Sequence, residues 1–494
     1  CAAAGLWRLS RPTAPPSVTA APAPSIFAAA ERAPAAARYG LLGYPLGHSL
    51  SPQIHRRLMA LAGIAGTYEL LAIPPEEITG RMPEFLRAYD GLNVTIPHKQ
   101  AVKSSLEKID PLAEQIGAVN TISCPSQGRL SGYNTDLEGF LSDAPELSGR
   151  RVLILGAGGV CRTLAFAAGL QGATQIRFLV RHPQKAQPLA ETIAAAFPAS
   201  RVDVTADPGS CFSPEQPTPW EDRWVLLNGT PAGMWPHTGG VPVPDELLDH
   251  VQAVYDTIYN PFATRLVLRA QSRGIPARGG LGMLVSQALL AQRIWNPSAA
   301  FPADAKDLVL SGLAAEIYRQ SPLTLVLMGF MGSGKSRVGR ELSAKTGWPL
   351  VDLDHWIEEK ADCTIPEIFA AEGEAAFRDL ERQSLDEVLS TRRCQILATG
   401  GGALLSPEAQ AILYSHPALV IYLDASLEMI EQRVGDGSGR PLIAGQDRDR
   451  LVQLYDSRRP IYRRLADFVV NADLPLEYKL DSIIATLGLG GETP

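Results

Sequence analysis

The chain has 494 residues, more than one ordinary hydrophobic core can organise, so two or three domains are expected. A net charge of −7 argues against a nucleic-acid or anionic-membrane partner, and no apolar run approaches the about 18–20 residues of a membrane span. The six cysteines are scattered, without a C-x-x-C pair, which excludes a disulfide framework or a zinc site and fits a reducing compartment.

Residues 1–38 are rich in Ala and Pro, carry Arg8 and Arg11, and have no acid before Glu31. Such a stretch cannot bury enough surface to fold, so it reads as a leader, a transit peptide or a misplaced start. The expected location is the cytoplasm, or a plastid on the transit-peptide reading. Tyr39–Gly43 begins the ordered chain as a short strand. Ser51 followed by Pro52 reads as an N-cap and a first helical residue. Ser49, two residues earlier, would point the same way on an extended chain, and paired hydroxyls suit a small carboxylate. Leu92–Lys99 (LNVTIPHK) is a strand end with polar groups at alternate positions, Asn93 and Thr95 among them. Asn120-Thr121 and Asn134-Thr135-Asp136 follow. Lys99 and Asp136, from separate strand ends, could form a proton-transfer pair, with a plain surface ion pair as the alternative.

Arg151–Leu155 (RVLIL) is a buried parallel strand by its continuous apolar character. Gly156, Ala157, Gly158, Gly159 and Val160 then lead into a helix through Leu170, the first strand-to-helix turn of a dinucleotide fold. After the next strand, Ile176–Val180, NAD-binding chains place an acid; here Arg181, His182 and Lys185 stand instead, which suits a 2′-phosphate and favours NADP. Two more strands, Val225–Asn228 and Ala253–Ile258, end in polar turns, the second carrying Tyr259. Gly279-Gly280 opens a helix that bears Gln287 and ends near Trp295.

Phe301–Tyr318 reads as one final helix, and Gln320-Ser321-Pro322 as a linker compatible with close packing or loose tethering. The strand Leu323–Met328 then meets G-x-x-x-x-G-K-S at Gly329–Ser336, and a helix runs on to about Thr346. That is a phosphate-binding loop. Its backbone at Gly332, Ser333 and Gly334 would cradle phosphates, Lys335 would reach the outer ones, Ser336 would sit on Mg²⁺, and Arg337 would join the ATP-binding set. Asp352 and Asp354, two apart on a strand end, would share one face, one holding a Mg²⁺ water and the other an acceptor hydroxyl. Arg378 and Glu381 have the spacing of an exposed helical ion pair. Ile396–Gly402 is a strand running into the glycine turn Gly400-Gly401-Gly402. Val434–Gln446 is glycine-rich, with Arg433 before it and Arg440 within, and reads as a mobile lid or a surface loop; Arg459 follows on a helix into Tyr462.

The stretches GHSLSPQIH, GLNVTIPHK, GAVNT, GYNTD, LGAGGVCR, NGTPAGM, DTIYNP and GGLGMLVSQ, in order, resemble shikimate dehydrogenase nearly end to end from Tyr39 to about Tyr318. The set GFMGSGKS, DLD, IFAAEGEAAFRDLE, GGG, RPL and RRPIY resembles shikimate kinase from about Leu323 to Leu487. The first resemblance implies reduction of 3-dehydroshikimate by NADPH. Ser49 and Ser51 would hold the carboxylate; Asn93, Thr95, Asn120, Asp136 and Gln287 would bind ring hydroxyls, with Tyr259 nearby. Lys99 with Asp136 would handle the proton, and Gly280 would lie beside the nicotinamide. The sequence departs from that family at Val180, where Asn is usual, and at Cys161. The second resemblance implies Mg²⁺-ATP-dependent phosphorylation of shikimate. Asp354 would bind or deprotonate the acceptor hydroxyl, Arg378 and Arg459 would grip its carboxylate beside Gly401 and Gly402, Arg440 would close over the phosphates, and Arg433 would lie near the adenine.

Together these signals predict an α/β chain: an open-sheet substrate domain (39–145), an NADP-binding Rossmann domain (146–277), closing helices (278–319), a linker (320–322) and a P-loop kinase domain (323–490). The implied partners are small molecules, and the chain a monomer or homodimer. Quinate oxidation with NAD, or one half serving as a non-catalytic module, are the alternatives; Lys99, Asp136, Lys335, Asp354 and Arg378 are all present, which speaks against the second.

Overall fold

The computed structural model describes residues 36–47, 49–125, 129–211, 219–434 and 448–490. They form three α/β sheets in chain order. The first sheet has six strands, ordered Gly66–Ala72, Ala37–Gly43, Gly91–Val94, Thr121–Ser123, Ser131–Tyr133 and Lys108–Ile109. Its first three strands are parallel, and Thr121–Ser123 joins them antiparallel. Strand Gly91–Val94 is buried throughout and ends where Thr95 to Lys99 begin.

The second sheet is wholly parallel, ordered Ala277–Gly279, Val251–Asp256, Trp224–Asn228, Arg151–Leu155, Gln175–Leu179 and Arg201–Thr205. The RVLIL strand sits at its centre because Val152, Leu153 and Ile154 lose all exposure, as expected where helices cover both faces. The order reverses between Arg151–Leu155 and Trp224–Asn228, the crevice where doubly wound sheets bind dinucleotides. The third sheet is also parallel, ordered Leu350–Asp352, Gln395–Ala398, Thr324–Met328, Ala418–Asp424 and Phe468–Asn471. Its central strand carries the glycine loop into the helix Lys335–Thr346. No helix among the described residues is long and apolar enough to cross a membrane.

Three local expectations are corrected. The stretch Phe301–Tyr318 is not one helix but two, Ala305–Leu310 and Leu313–Gln320, parted by Gly312 at φ +77°, which breaks the helical run. Leu50, not Ser51, is the N-cap of the helix Ser51–Leu61, so the Ser51 hydroxyl is not spent on capping. Asp354 does not share a strand end with Asp352: the strand stops at Asp352, which caps the helix Leu353–Ala361, and Asp354 lies in that helix's first turn.

The linker is a packed segment. Ser321 and Leu323 are buried, and the Tyr318 hydroxyl donates to Leu487 O at 2.6 Å. The helix Arg265–Ser272 is amphipathic in two directions. Leu266 and Ala270 face the core of the second sheet, while Val267 and Leu268, with Ala263, join the core of the third. Arg265, fully buried, donates to Ala418 O at 3.0 Å, lies over the Tyr414 ring and faces Asp467, also fully buried, at 3.5 Å. Arg269 approaches the same carboxylate at 3.6 Å, and Val420 N–H donates to it at 2.9 Å. A buried ion pair adds little over apolar packing, but removing one partner strands the other charge. Asp467→Ala is therefore expected to cost about 3–5 kcal/mol of stability in urea denaturation, part of which Arg265→Met on the same chain restores. An Asp467→Ala chain as stable as the parent would show the pair to be idle.

Candidate active sites

A cavity of about 350 Å³ opens at the ends of strands Ala37–Gly43 and Gly91–Val94. Ser49, Ser51, Asn93, Thr95, Lys99, Asn120, Asp136, Tyr259 and Gln287 all line it. Lys99 Nζ lies 2.5 Å from Asp136 Oδ2, with both side chains mostly buried. Lys99 follows the end of one strand, while Asp136 sits in the first turn of the helix Thr135–Leu141, whose Asn134 cap accepts from Leu137 N–H. The Ser49 and Ser51 hydroxyls meet at 3.2 Å. Asn120 is fixed from two sides: its Oδ1 accepts from Thr135 N–H at 2.7 Å and its Nδ2 donates to Thr135 Oγ1 at 3.1 Å. Tyr259 is largely buried, and burial raises its hydroxyl pKa, so the group serves as a neutral donor.

Across the second sheet's crevice, Gly156 takes φ +96° and the helix Gly159–Leu170 starts immediately beyond, with Ala157 in the turn and Val160 in the first helical turn. A Cβ at Gly158 or Gly159 would meet open space, so the backbone there faces a free cradle at a helix N-terminus. Gly280 has no such room: a Cβ would lie 2.2 Å from Thr257 O. Arg181, His182 and Lys185 are exposed just past strand Gln175–Leu179, with His182 as N-cap of the helix Pro183–Ala196.

A second cavity, about 500 Å³, lies past the ends of the third sheet's strands. Gly332, Gly334, Lys335, Ser336, Arg337, Asp352, Asp354 and Gly401 line it. Lys335 Nζ donates to the loop carbonyls of Gly329 at 2.9 Å and Phe330 at 3.1 Å. The Ser336 hydroxyl donates to Asp352 Oδ2 at 2.7 Å. Ser333 is fully buried and is not among the residues that line the cavity, and its N–H donates to Phe330 O at 3.1 Å. Arg433 donates to Gly332 O at 3.2 Å. Burial pushes the Asp354 carboxyl above its usual range, and Asp352 adds to the rise, while Lys335 and Arg378 pull it down. Arg378 crowds against Gly402, where any side chain would clash with its guanidinium, and bonds Glu381 at 2.6 Å. Glu381 is buried, not on a solvated face as its spacing suggested.

Two family models match the chain: shikimate dehydrogenase substrate binding domain over residues 41–122, and shikimate kinase over residues 331–487. The shikimate dehydrogenase (NADP(+)) of Symbiobacterium thermophilum is 40% identical over 263 residues, which span 52% of this chain and 87% of that protein. The chain belongs to the shikimate dehydrogenase family. A shikimate kinase domain is fused behind it. The namesake dehydrogenase of Methanothermobacter thermautotrophicus is 39% identical over 265 residues, 52% of this chain and 90% of its own. The crystal structure of a chorismate mutase/shikimate 5-dehydrogenase fusion protein from Clostridium acetobutylicum superposes with a TM-score of 0.50 at 31% identity, covering 57% of this chain and 98% of its own.

In the shikimate kinase domain a further expectation is corrected. Arg459 does not reach the glycine turn; it bonds Asp424 at 3.1 and 3.2 Å, beside Arg463. The residue facing Gly401 is Arg458, 8% exposed, next to Tyr462 and Glu381. Consecutive helical residues project about 100° apart, so only one of the two arginines can face the turn. The signal was the spacing: Tyr462, whose hydroxyl donates to Gly401 O, lies four residues after Arg458, on the same helical face. Arg440 falls outside the described residues, as does the expected lid. In the shikimate dehydrogenase half, sequence reasoning missed Tyr68. Its hydroxyl donates to Asn93 Oδ1 at 2.8 Å, while Asn93 Nδ2 donates to Thr121 Oγ1 at 3.0 Å, fixing that amide. Nothing in the alternation of the strand Gly66–Ala72 pointed to it.

Proposed function

We propose that the chain performs two successive reactions: NADPH-dependent reduction of 3-dehydroshikimate to shikimate, and transfer of phosphate from Mg²⁺-ATP to the 3-hydroxyl of shikimate. The observation that carries the reading is the Lys99–Asp136 pair in a cavity with paired serines, on the same chain as a phosphate loop facing Asp354.

In the first reaction the bound nicotinamide supplies the hydride to the ketone carbon. The developing alkoxide needs a proton, and the Lys99 ammonium, oriented by Asp136, supplies it. Ser49 and Ser51 present hydroxyls to the substrate carboxylate. Asn93, Thr95, Asn120, Asp136, Tyr259 and Gln287 read the ring oxygens, and the prior fixing of Asn93 by Tyr68 and of Asn120 by Thr135 limits the reorganisation that binding requires. The open glycine cradle at Gly156–Gly159 fits a pyrophosphate, and Arg181 and Lys185 fit a 2′-phosphate. The name of the Symbiobacterium relative specifies NADP(+), which supports the same cofactor.

In the second reaction the chain's work is positioning and charge neutralisation. Gly332 to Ser336 hold the phosphates, with Lys335 released from the loop carbonyls to reach them. Ser336 and Asp352 fit Mg²⁺, which takes few protein oxygens and completes its shell with phosphate and water. Asp354 receives the acceptor hydroxyl, Arg378 and Arg458 take its carboxylate, and Arg433 serves the adenine side.

The test is a coupled assay with 3-dehydroshikimate, NADPH and Mg²⁺-ATP. Shikimate 3-phosphate is the expected product, with arrest at shikimate when ATP is left out. No consumption of NADPH would overturn the first half of the reading, and no phosphorylation of added shikimate the second.

A further inference from the structure

Just past Asn260 a short stretch of the shikimate dehydrogenase chain packs against the kinase. Phe262 packs against Gly488, and Ala263, Val267 and Leu268 enter the kinase core. Tyr259, one residue earlier, is a wall of the dehydrogenase cavity. The boundary between the two is a small knot of hydrogen bonds. Asn260 Nδ2 donates to Ser321 Oγ at 2.7 Å, and Trp235 Nε1 donates to Pro322 O at 3.3 Å. Trp235 N–H donates to Asn260 O at 3.0 Å, which closes the knot. Trp235 ends the turn that begins at Asn228, and Asn228 and Ile258 N–H both bond Asp256 Oδ1, at 2.9 and 3.1 Å. The linker thus touches the turns that follow strands Trp224–Asn228 and Val251–Asp256.

We propose that Ser321, a linker residue, is a positioning residue for the dehydrogenase pocket: its hydroxyl holds Asn260 and thereby the Tyr259 turn against the cavity. The inference rests on the dehydrogenase reading above. Ser321 is buried, so water does not substitute freely for its hydroxyl, and the Asn260 amide without it is free to reorient. The turn beside Tyr259 then loses its outer anchor while the kinase core, held by Tyr318, Arg265 and the apolar face, stays in place. A linker that merely joined two enzymes would have no reason to be seen by the first one's substrate.

The experiment is steady-state shikimate oxidation with NADP⁺ by the full chain, alongside shikimate phosphorylation. Ser321→Ala is expected to raise KM for shikimate about five- to tenfold, the scale of one buried hydrogen bond, with KM for NADP⁺ and kinase kcat/KM unchanged. Asn260→Ala should give the same shift, and the double variant no more than either single one, since both delete one bond. Trp235→Phe, which removes the bond to Pro322 O, should move the same KM and serves if Ser321→Ala does not fold. An unchanged shikimate KM in an active Ser321→Ala chain overturns the proposal, and so does a parallel decline of both activities, which marks general loosening. Absence of shikimate oxidation in the parent chain would instead defeat the dehydrogenase reading itself.

Discussion

Replacing Lys99 with alanine is expected to lower kcat for ketone reduction by roughly 10²- to 10⁴-fold, the range typical of a positioned acid. The ammonium has one close partner, Asp136 at 2.5 Å, and both line a cavity whose other polar groups are neutral hydroxyls and amides. Among the described residues no second cation lines that cavity to take over the proton or the charge. The dinucleotide cradle at Gly156–Gly159 is built on a different sheet, so KM for NADPH should hold. Lys99→Arg separates the two parts of the role: it keeps a positive charge but gives up its proton far less readily. A rate for Lys99→Arg near that of Lys99→Ala would assign the loss to proton transfer, and recovery would assign it to charge. NADPH absorbance follows both, and full activity in Lys99→Ala would remove this residue from the reaction.

The second large effect discriminates between neighbours. Arg458→Ala is expected to lower kinase kcat/KM for shikimate by on the order of 30- to 1,000-fold, the cost of about 2–4 kcal/mol for losing one partner of a buried charged contact. Arg459→Ala should change it by about threefold or less, because Asp424 keeps Arg463 and the pair is half exposed. The inverse result, with Arg459 essential and Arg458 dispensable, would restore the assignment read from the sequence. Measuring ADP release at several shikimate concentrations with each variant is enough to decide.

That pair also shows what a sequence makes legible. The phosphate loop, the RVLIL strand with its glycine turn, and the Lys99 and Asp136 stretches are local patterns, each carried by a few adjacent residues. The cavity residues of the dehydrogenase half come from such patterns, which is why all nine residues Ser49, Ser51, Asn93, Thr95, Lys99, Asn120, Asp136, Tyr259 and Gln287 meet around one space. Rotation about a helix axis is harder to read when two arginines adjoin, since both fit a motif and only packing chooses. Tyr68 was out of reach for another reason: its role depends on the register between Gly66–Ala72 and Gly91–Val94, both paired to Ala37–Gly43. The long-range bonds of Arg265, more than 150 residues from Ala418, leave no mark in any local pattern.

The docking of the two enzymes has a consequence for traffic between them. The contacts of the helix Arg265–Ser272 with the kinase lie at or near the starts of the third sheet's strands, at Ala418, Asp467 and Val469, with Tyr414 on the helix before Ala418. The phosphate loop, Asp352 and Thr399 lie past the strands' far ends, roughly 15–20 Å away at about 3.3 Å per residue. Among the described residues none lines both cavities. With the two cavities lined by different residues, the expected result in the coupled assay is that phosphate transfer lags behind NADPH consumption until released shikimate accumulates, and absence of a lag would mean that shikimate passes directly. The covalent link supplies equal numbers of the two catalysts, and on this expectation the intermediate is open to dilution and to any other consumer between them.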